Sequence, residues 1–419
     1  MNNRSRLTTY ILGALVLGIV VGYILNLTMA EPKKFAEYMS LLTTLFLCLI
    51  KMIIAPLVFS TLVVGIARMG DAKEVGRIGV KALSWFIIAS LISLSLGLVL
   101  VNLFRPGDAM VGFMPATTTA TGLVTTSMSL KEFVTHLVPS SIIDGMAKNE
   151  ILQIVVFSVF FGTAAAAVGQ RANAMVEAID GVAHVMLKVT GYVMNFAPVA
   201  VFAAVSGVIA SSGVAVVGKF GAFMAEFYLA IILLWVVLTF AGFLFLGRRV
   251  FTLLRELREP TLLAFSTASS EAAYPKTLEG LERFGVKNRI ASFVLPIGYS
   301  FNLDGSMMYC TFAAIFIAQG YGIEMPVGAQ IMMLLYLMVA SKGMAGVPRA
   351  SLVIIAATLN QFGIPEAGLV ALFAIDHFLD MARSATNVIG NGIATAVVAK
   401  WEGELSNPAD KDVAAAPLN

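Results

Sequence analysis

Charge is what this sequence has least of. Of 419 residues, only 13% are Asp, Glu, Lys or Arg, against roughly 25% in a soluble domain. The formal net charge is only +3, and no basic run accompanies it, which excludes a nucleic-acid partner. There are two cysteines, too few for a disulfide frame. Cys48 and Cys310 both lie in apolar stretches and read as small core residues. Three histidines, His136, His184 and His377, leave no metal-ligand cluster. No cofactor motif and no catalytic constellation stands out, so the chain does not read as an enzyme.

What is present is apolar surface. Residues of the hydrophobic class make up 58% of the chain, and the mean hydropathy is +0.88. A soluble fold cannot enclose that much apolar area, whereas a bilayer takes it as solvent. The lipid bilayer is therefore the first partner the sequence implies. A helix needs about 20 apolar residues to span the hydrocarbon. Six such spans are expected near Thr9–Leu27, Leu41–Ala67, Leu83–Phe104, Ile151–Val168, Val189–Ile209 and Phe223–Leu246. The first follows Arg4 and Arg6 but leads to no small-residue cleavage site before a soluble domain, so it reads as a span and not a cleaved signal. Pro106–Asn149, rich in Thr and Ser, reads as an external loop with partial helix. With the N-terminus inside, Arg68, Lys73, Arg77 and Lys81, and then Arg248, Arg249, Arg255 and Arg258, all fall in the cytoplasm, as the positive-inside rule asks. Lys33 and Lys34 run mildly against it.

The C-terminal third has a different texture. Two apolar segments are interrupted by small and polar residues, at Phe265–Pro275 and at Val339–Pro348. Non-helical backbone at membrane depth survives only inside protein or beside water, so both read as tips of re-entrant hairpins. Each runs Ala-Ser, small residues, then Pro, and interrupted segments in corresponding positions point to a transporter's binding site. Between them, Asn302, Asp304 and Gly305 interrupt the span Ile290–Ile317 and should break its helix, freeing carbonyls and a carboxylate as oxygen ligands. The last span, Leu369–Ala399, carries Asp376, Asp380, Arg383, Asn387 and Asn391. At about 100° per residue these fall within roughly 80° of one another on a helix. Ionisable side chains in a span are costly and mark a ligand path. A simple Asp380–Arg383 pair at i, i+3 would explain two of the five.

These parts suit a small molecule with two carboxylates and an ammonium. Arg383 offers a planar fork for one carboxylate, Asp380 a counter-charge for the ammonium, and the Ser269–Ser270 tip hydroxyls and half-helix N–H groups for the other carboxylate.

At these residues the chain resembles the glutamate/aspartate transporter family of dicarboxylate/amino acid:cation symporters. The matching motifs, in order, are Ser269-Ser270, Asn302-Leu303-Asp304-Gly305-Ser306, Ala345-Gly346-Val347-Pro348 and Asp380-Met381-Ala382-Arg383-Ser384 leading to Asn387. The resemblance covers essentially the whole chain. It implies an all-α polytopic membrane protein with eight transmembrane helices plus two re-entrant helical hairpins, working as an elevator-type homotrimer in the inner membrane of a prokaryote, with both termini cytoplasmic. Residues 1–250 would be the six N-terminal spans, with spans 2, 4 and 5 as the trimer scaffold and spans 3 and 6 joining the transport domain. Residues 251–405 would be the transport core, and 406–419 a disordered cytoplasmic tail. Carried over by position, substrate binding falls to Ser269, Ser270, Ser306, Val347, Ser351, Asp380, Arg383, Ser384 and Asn387. Cation or proton coupling falls to Glu271, Asn302, Asp304, Asp376 and Asn391.

The departures concern the coupling ion. Sodium-coupled members place a carboxylate where this chain has Asn391, and Thr and Tyr where it has Ala89 and Phe86, although Ser90 remains. The Ser-Ser-Glu tip, Gly298-Tyr299-Ser300-Phe301-Asn302 and Gly390-Asn391 resemble the proton/glutamate branch. A co-transported proton is therefore expected, with Glu271, a carboxyl near apolar neighbours, as a candidate carrier. A residual sodium site at Ser300, Ser341 and Met344 is the alternative. Arg349 stands where Gly is usual, with Lys342 close by, and Ser384 replaces the more usual Thr. A C4-dicarboxylate symporter of the same family is the nearest rival, and Asp380 argues against it because a dicarboxylate has no ammonium. An intramembrane aspartyl protease built on Asp304 and Asp380 lacks the flanking glycine pattern, and Arg383 would disturb such a pair.

Overall fold

In hydrocarbon every backbone N–H and C=O must be satisfied within its own segment or a closed sheet. Helix is accordingly what the apolar runs adopt. The computed structural model describes residues 3–69, 72–112, 114–115, 117, 138–212, 215–341, 350–373 and 375–406. Its helices are α1 (Asn3–Thr28), α2 (Pro32–Met69), α3 (Ala72–Phe104), α4 (Ile142–Ala147), α5 (Ile151–Val168), α6 (Asn173–Met194), α7 (Ala197–Ser212) and α8 (Ala215–Leu246). Then follow α9 (Arg249–Thr267), α10 (Tyr274–Phe284), α11 (Asn288–Phe301), α12 (Asp304–Gly320), α13 (Val327–Ala340), α14 (Ala350–Gln361), α15 (Leu369–Phe373) and α16 (Asp376–Trp401). Among the described residues there is no strand, only one isolated antiparallel bridge between Val286 and Leu405. Among the described residues five stretches are long and apolar enough to cross a membrane: Thr9–Thr28, Lys73–Phe104, Gln153–Met194, Phe220–Leu246 and Asn288–Gly320.

Packing sorts the helices. α1, α2, α5, α6 and α7 pack mainly on one another. α16 is surrounded by α8, α9, α11 and α12, and α3 lies along α12. α2 touches the second group through α11 and the turn after α9.

Three expectations need correction. The fifth expected span, Val189–Ile209, is not one helix: α6 ends at Met194 and α7 starts at Ala197. Pro198 explains this, because it has no N–H to donate to Met194 and its ring would crowd that carbonyl. The chain instead takes tight turns, with Asn195 N donating to Tyr192 O at 3.3 Å and Phe196 N to Val193 O at 3.0 Å. The last span is likewise divided, and the long helix restarts at Asp376. An acid in the first turn suits the positive end of the helix dipole. Third, Cys48 is exposed, while Cys310 is buried as expected. α2 buries Phe46, Ile53 and Leu57, and Cys48 stands about 200° round the helix from Phe46. At the far end, Ser406, the first residue of the expected tail, is held: its N donates to Gly285 O at 2.9 Å and its carbonyl accepts from Arg249 Nη2 at 2.8 Å. Residues 407–419 lie outside the described residues.

Candidate functional site

A buried charge away from water must find partners, so the polar face of α16 dictates what packs against it. Arg383 is buried at the centre of that face. Its Nη2 lies 2.9 Å from Asp380 Oδ1 and 3.1 Å from Asp376 Oδ1. The Tyr309 hydroxyl donates to the same Asp376 oxygen at 3.2 Å. The guanidinium carbon sits 4.0 Å from the Tyr309 ring centroid, within cation–π range. Both ion pairs fall on the one nitrogen Nη2. Arg383 Nε and Nη1 are buried and have no hydrogen-bond partner among the described residues. Buried, unsatisfied N–H groups are expensive. Both two-pronged edges of a guanidinium, Nε–Nη2 and Nη1–Nη2, include Nη2, so a carboxylate that takes either edge shares that nitrogen with Asp376 and Asp380.

The helix break supplies the next part. Asn302 and Leu303 leave the helical region, at φ −125°, ψ 64° and φ −99°, ψ 63°, and α12 begins at Asp304. Its first N–H groups lack intrahelical partners. Gly305 N donates to Asn387 Oδ1 at 3.0 Å, and Asn387 Nδ2 donates to Ser306 Oγ at 3.3 Å. Close approach makes these bonds possible: a Cβ on Gly305 would lie 2.5 Å from the Arg383 carbonyl oxygen.

One turn further along α16 is a second buried cluster. Asn302 Nδ2 donates to Asp304 Oδ2 at 3.1 Å and to Asn391 Oδ1 at 3.3 Å. Ser93 Oγ, on α3, donates to Asp304 Oδ1 at 3.1 Å. Asn302 Oδ1, Asn391 Nδ2 and Ser300 Oγ are buried without partners among the described residues. Phe86 and Ala89 are also buried on α3, and Ser90 Oγ donates to Phe301 O at 3.4 Å.

The two turns stand differently. At the first, Ala268 takes a left-handed conformation, φ 50°, and Ser269 N closes back on Ala264 O at 3.1 Å, a helix-ending bond that orphan carbonyls favour. The Ser269 hydroxyl is occupied, accepting from Ala272 N at 3.3 Å. Ser270 is half-buried. Glu271 shares a small pocket with Ile54, Val58, Tyr274, Pro296 and Tyr299, so it faces α2 and α11. No hydrogen bond among the described residues joins Ser269 or Ser270 to the Arg383 cluster. The second turn, with Lys342, Met344, Val347 and Arg349, lies outside the described residues. Its flanks are described: Ser341 Oγ donates to Met338 O at 3.1 Å, and Ser351 is buried on α14. No hydrogen bond among the described residues joins Ser300 to Ser341. Ser384 is buried beside Arg383.

The structure thus gathers Asn302, Asp304, Ser306, Asp376, Asp380, Arg383, Asn387 and Asn391 into one continuous polar seam between α12 and α16. Sequence reasoning missed Ser93 and Tyr309, which complete that seam. Tyr309 stands three residues after Ser306 and shares its helix face, a spacing that could have flagged it. Ser93 stands in the same relation to Ser90. It also passed over Glu226, an acid inside the apolar stretch Phe220–Leu246 with Oε2 buried and unpartnered among the described residues.

Comparison with known proteins identifies the family. The family model of the sodium:dicarboxylate symporter family matches residues 7–401. The chain is 41% identical over 403 residues to the proton/sodium-glutamate symport protein of Geobacillus stearothermophilus, covering 95% of this chain and 94% of that one. It is 40% identical over 410 residues to the proton/glutamate-aspartate symporter of Escherichia coli (strain K12), covering 96% and 94%. A C4-dicarboxylate transport protein of Bacillus subtilis (strain 168) is 36% identical over 409 residues, covering 96% and 94%. A match over nearly the whole chain, on a helical fold whose polar residues converge on one buried arginine, makes this protein a member of the sodium:dicarboxylate symporter family and not an enzyme.

Proposed function

We propose that this protein is a symporter of acidic amino acids, glutamate or aspartate, driven by co-transported protons. The observation that carries the reading is the half-used guanidinium of Arg383. Nη2 is tied to Asp376 and Asp380, while Nε and Nη1 are buried and make no hydrogen bond among the described residues. A side-chain carboxylate of the substrate takes Nε or Nη1 together with Nη2, and Asp380, the more exposed of the two acids at 33% against 4% for Asp376, turns from Nη2 to the ammonium group. Ser306, Ser384 and Asn387 line the same stretch, and Ser269, Ser270, Val347 and Ser351 close over the other carboxylate from the two turns.

Charge explains why a cation travels too. Among the described residues Asp304, Asp376 and Asp380, fully ionised, oppose only Arg383, leaving the seam negative. An acidic amino acid adds a further net negative charge, which a low-dielectric site resists. A proton bound for each such charge offsets it. Phe86 and Ala89, facing this region without an oxygen, favour the proton over sodium, and Asn302, Asp304, Asp376, Asn391 and Glu271 are the positions that sense it. Ser300, Ser341 and Met344 would form the residual sodium site under the alternative.

The same reading assigns eight spans and two re-entrant turns, α9–α10 and α13–α14, in a homotrimer of the bacterial inner membrane with both ends cytoplasmic. The helix groups fit a scaffold of α1, α2, α5, α6 and α7, against which the remaining helices slide as an elevator.

Uptake into proteoliposomes under separate proton and sodium gradients, with labelled aspartate, glutamate and succinate, tests the proposal. Aspartate or glutamate uptake should follow the proton gradient, and uptake that followed sodium and ignored pH would sink the coupling assignment. Asp380→Ala should abolish amino-acid uptake. If succinate is carried at all, its uptake should survive that change. Preferred succinate uptake by the unaltered protein would favour the C4-dicarboxylate reading.

A further inference from the structure

A separate cavity lies away from the seam. It has a volume of about 470 Å³ and is bounded by Trp235 and Thr239 of α8, by Leu254, Arg258, Thr261 and Phe265 of α9, and by Ala385 and Ile389 of α16. That volume falls in the roughly 300–1,000 Å³ range of small-molecule sites. Its walls are apolar and its floor is buried α16. The α8 wall belongs to an apolar stretch long enough to cross a membrane, and its neighbours Val236 and Phe240 are both 59% exposed. A dry cleft opening beside such residues meets acyl chains, not water.

One end of the cleft carries charge. Arg258 and Arg255, one turn apart on α9, are both exposed. Among the described residues neither makes an ion pair or a hydrogen bond. The neighbouring Glu256 is already taken by Arg283, at 2.8 Å. Two like charges at i, i+3 repel unless an anion sits between them. The hydroxyls of Thr239 and Thr261 are half-buried and likewise make no hydrogen bond among the described residues. An apolar slot lined at one end by the unpaired Arg258, with unpaired Arg255 one turn before it on α9 and two unpaired hydroxyls on its walls, describes an amphiphile with an anionic head.

We propose that this cleft binds one anionic phospholipid, with its phosphate on Arg258 and Arg255 and one acyl chain against Trp235, Phe265 and Ile389. The lipid bears on the transport site through the cleft floor. Ala385 and Ile389 flank Thr386 and Asn387, and Trp235 Nε1 donates to Thr386 Oγ1 at 2.7 Å. An occupied cleft therefore buttresses the stretch of α16 that presents Asn387 to α12.

Native mass spectrometry of the purified protein, titrated with phosphatidylglycerol or phosphatidylcholine, tests this. The unaltered protein should hold one phosphatidylglycerol in preference to phosphatidylcholine. Each basic residue near a lipid surface is worth roughly fivefold in affinity, so Arg255→Gln with Arg258→Gln should weaken phosphatidylglycerol binding about 30-fold, and the paired Lys substitutions should restore most of it. Thr239→Trp fills the slot and should displace both lipids whatever their heads. Equal retention of the two lipids by the unaltered protein, unchanged phosphatidylglycerol affinity in the double Gln variant, or undiminished binding in Thr239→Trp would each overturn the proposal. So would retention of oleate with no retention of phosphatidylglycerol. Size-exclusion elution at the unaltered position confirms that each variant is folded.

Discussion

The two ends of α16 hold charge in opposite ways. Near its start, Asp376 and the half-buried Asp380 share one nitrogen of a buried arginine that leaves Nε and Nη1 unpaired among the described residues. Just past its other end, Glu402 is met by Arg77 and by Lys81, each at 2.6 Å. Glu404 is met by Lys287 at 2.6 Å and by Arg289. There each carboxylate has two cations, and the cations themselves reach toward solvent. Lys287 N also donates to Glu404 O at 3.2 Å, and Lys81 Nζ donates to Trp401 O at 3.1 Å. The far end is a finished fastening that ties the starts of α3 and α11 to the end of α16. The near end is unfinished, and an incomplete buried charge is a cost that persists where a ligand completes it. The same helix thus separates holding from binding by how fully its charges are paired.

The sharpest way to break that comparison is at the unfinished end. Arg383→Lys keeps the positive charge but removes the planar fork. It should lose the second bond to the substrate carboxylate, worth about 1.5–3 kcal/mol for a charged hydrogen bond. Uptake at low substrate should fall by roughly tenfold to over a hundredfold, with thermal stability little changed. Radiolabelled uptake beside a melting curve measures both. A variant that transported normally would show that charge alone, not the fork, serves the site.

How much of this could be read from the sequence depends on which neighbour each claim needs. The stripe on α16 is a property of one helix, so the spacing of Asp380, Arg383, Asn387 and Asn391 was enough to find it. The break at Asn302–Leu303 was equally local. Partners across helices were not legible: Ser93 reaches Asp304 from a span more than 200 residues earlier, and periodicity says which residues share a face, never which face they meet. Cys48 failed for that reason, lying in an apolar run but on the outer side of α2. The division of α6 from α7 was legible in principle through Pro198, and the apolar run around it obscured the signal. The first turn was found at Ser269–Ser270, but its distance from Arg383 is a tertiary property.

A smaller effect tests whether the two buried clusters of α16 are one device. A Cβ on Gly390 would lie 2.0 Å from Asp304 Oδ2 and 3.4 Å from Asn302 Nδ2. Gly390→Ala must therefore push Asp304 away from Asn302 and Ser93, and overpacking of this kind typically costs about 1–3 kcal/mol. The expected result is a lower melting temperature together with an altered pH dependence of uptake. Loss of stability with an unchanged pH profile would detach Asp304 from coupling and leave it a structural partner of Asn302.

The least effect belongs to the finished end, where pairing is redundant. Glu402→Gln removes one charge facing Arg77 and Lys81, and pairs at the solvent boundary contribute about 0–1 kcal/mol. Stability should drop by no more than that, and uptake should be unchanged. The pH dependence carries the sign. The Arg77 hydrogen bond holds the Glu402 carboxyl below its ordinary value, with burial opposing it and Lys81 adding to it. A carboxyl whose folded value is depressed contributes stability that is fully present above the unfolded value, and that stability is lost as pH falls through the folded one. The unaltered protein should thus lose this increment on acidification below about pH 4.5, the ordinary value for the group. Glu402→Gln should lie below it at neutral pH and converge on it in acid. Curves that stayed parallel across that range would mean that Glu402 stabilises by shape and hydrogen bonding, not by charge, and the contrast between the two ends of α16 would then rest on the near end alone.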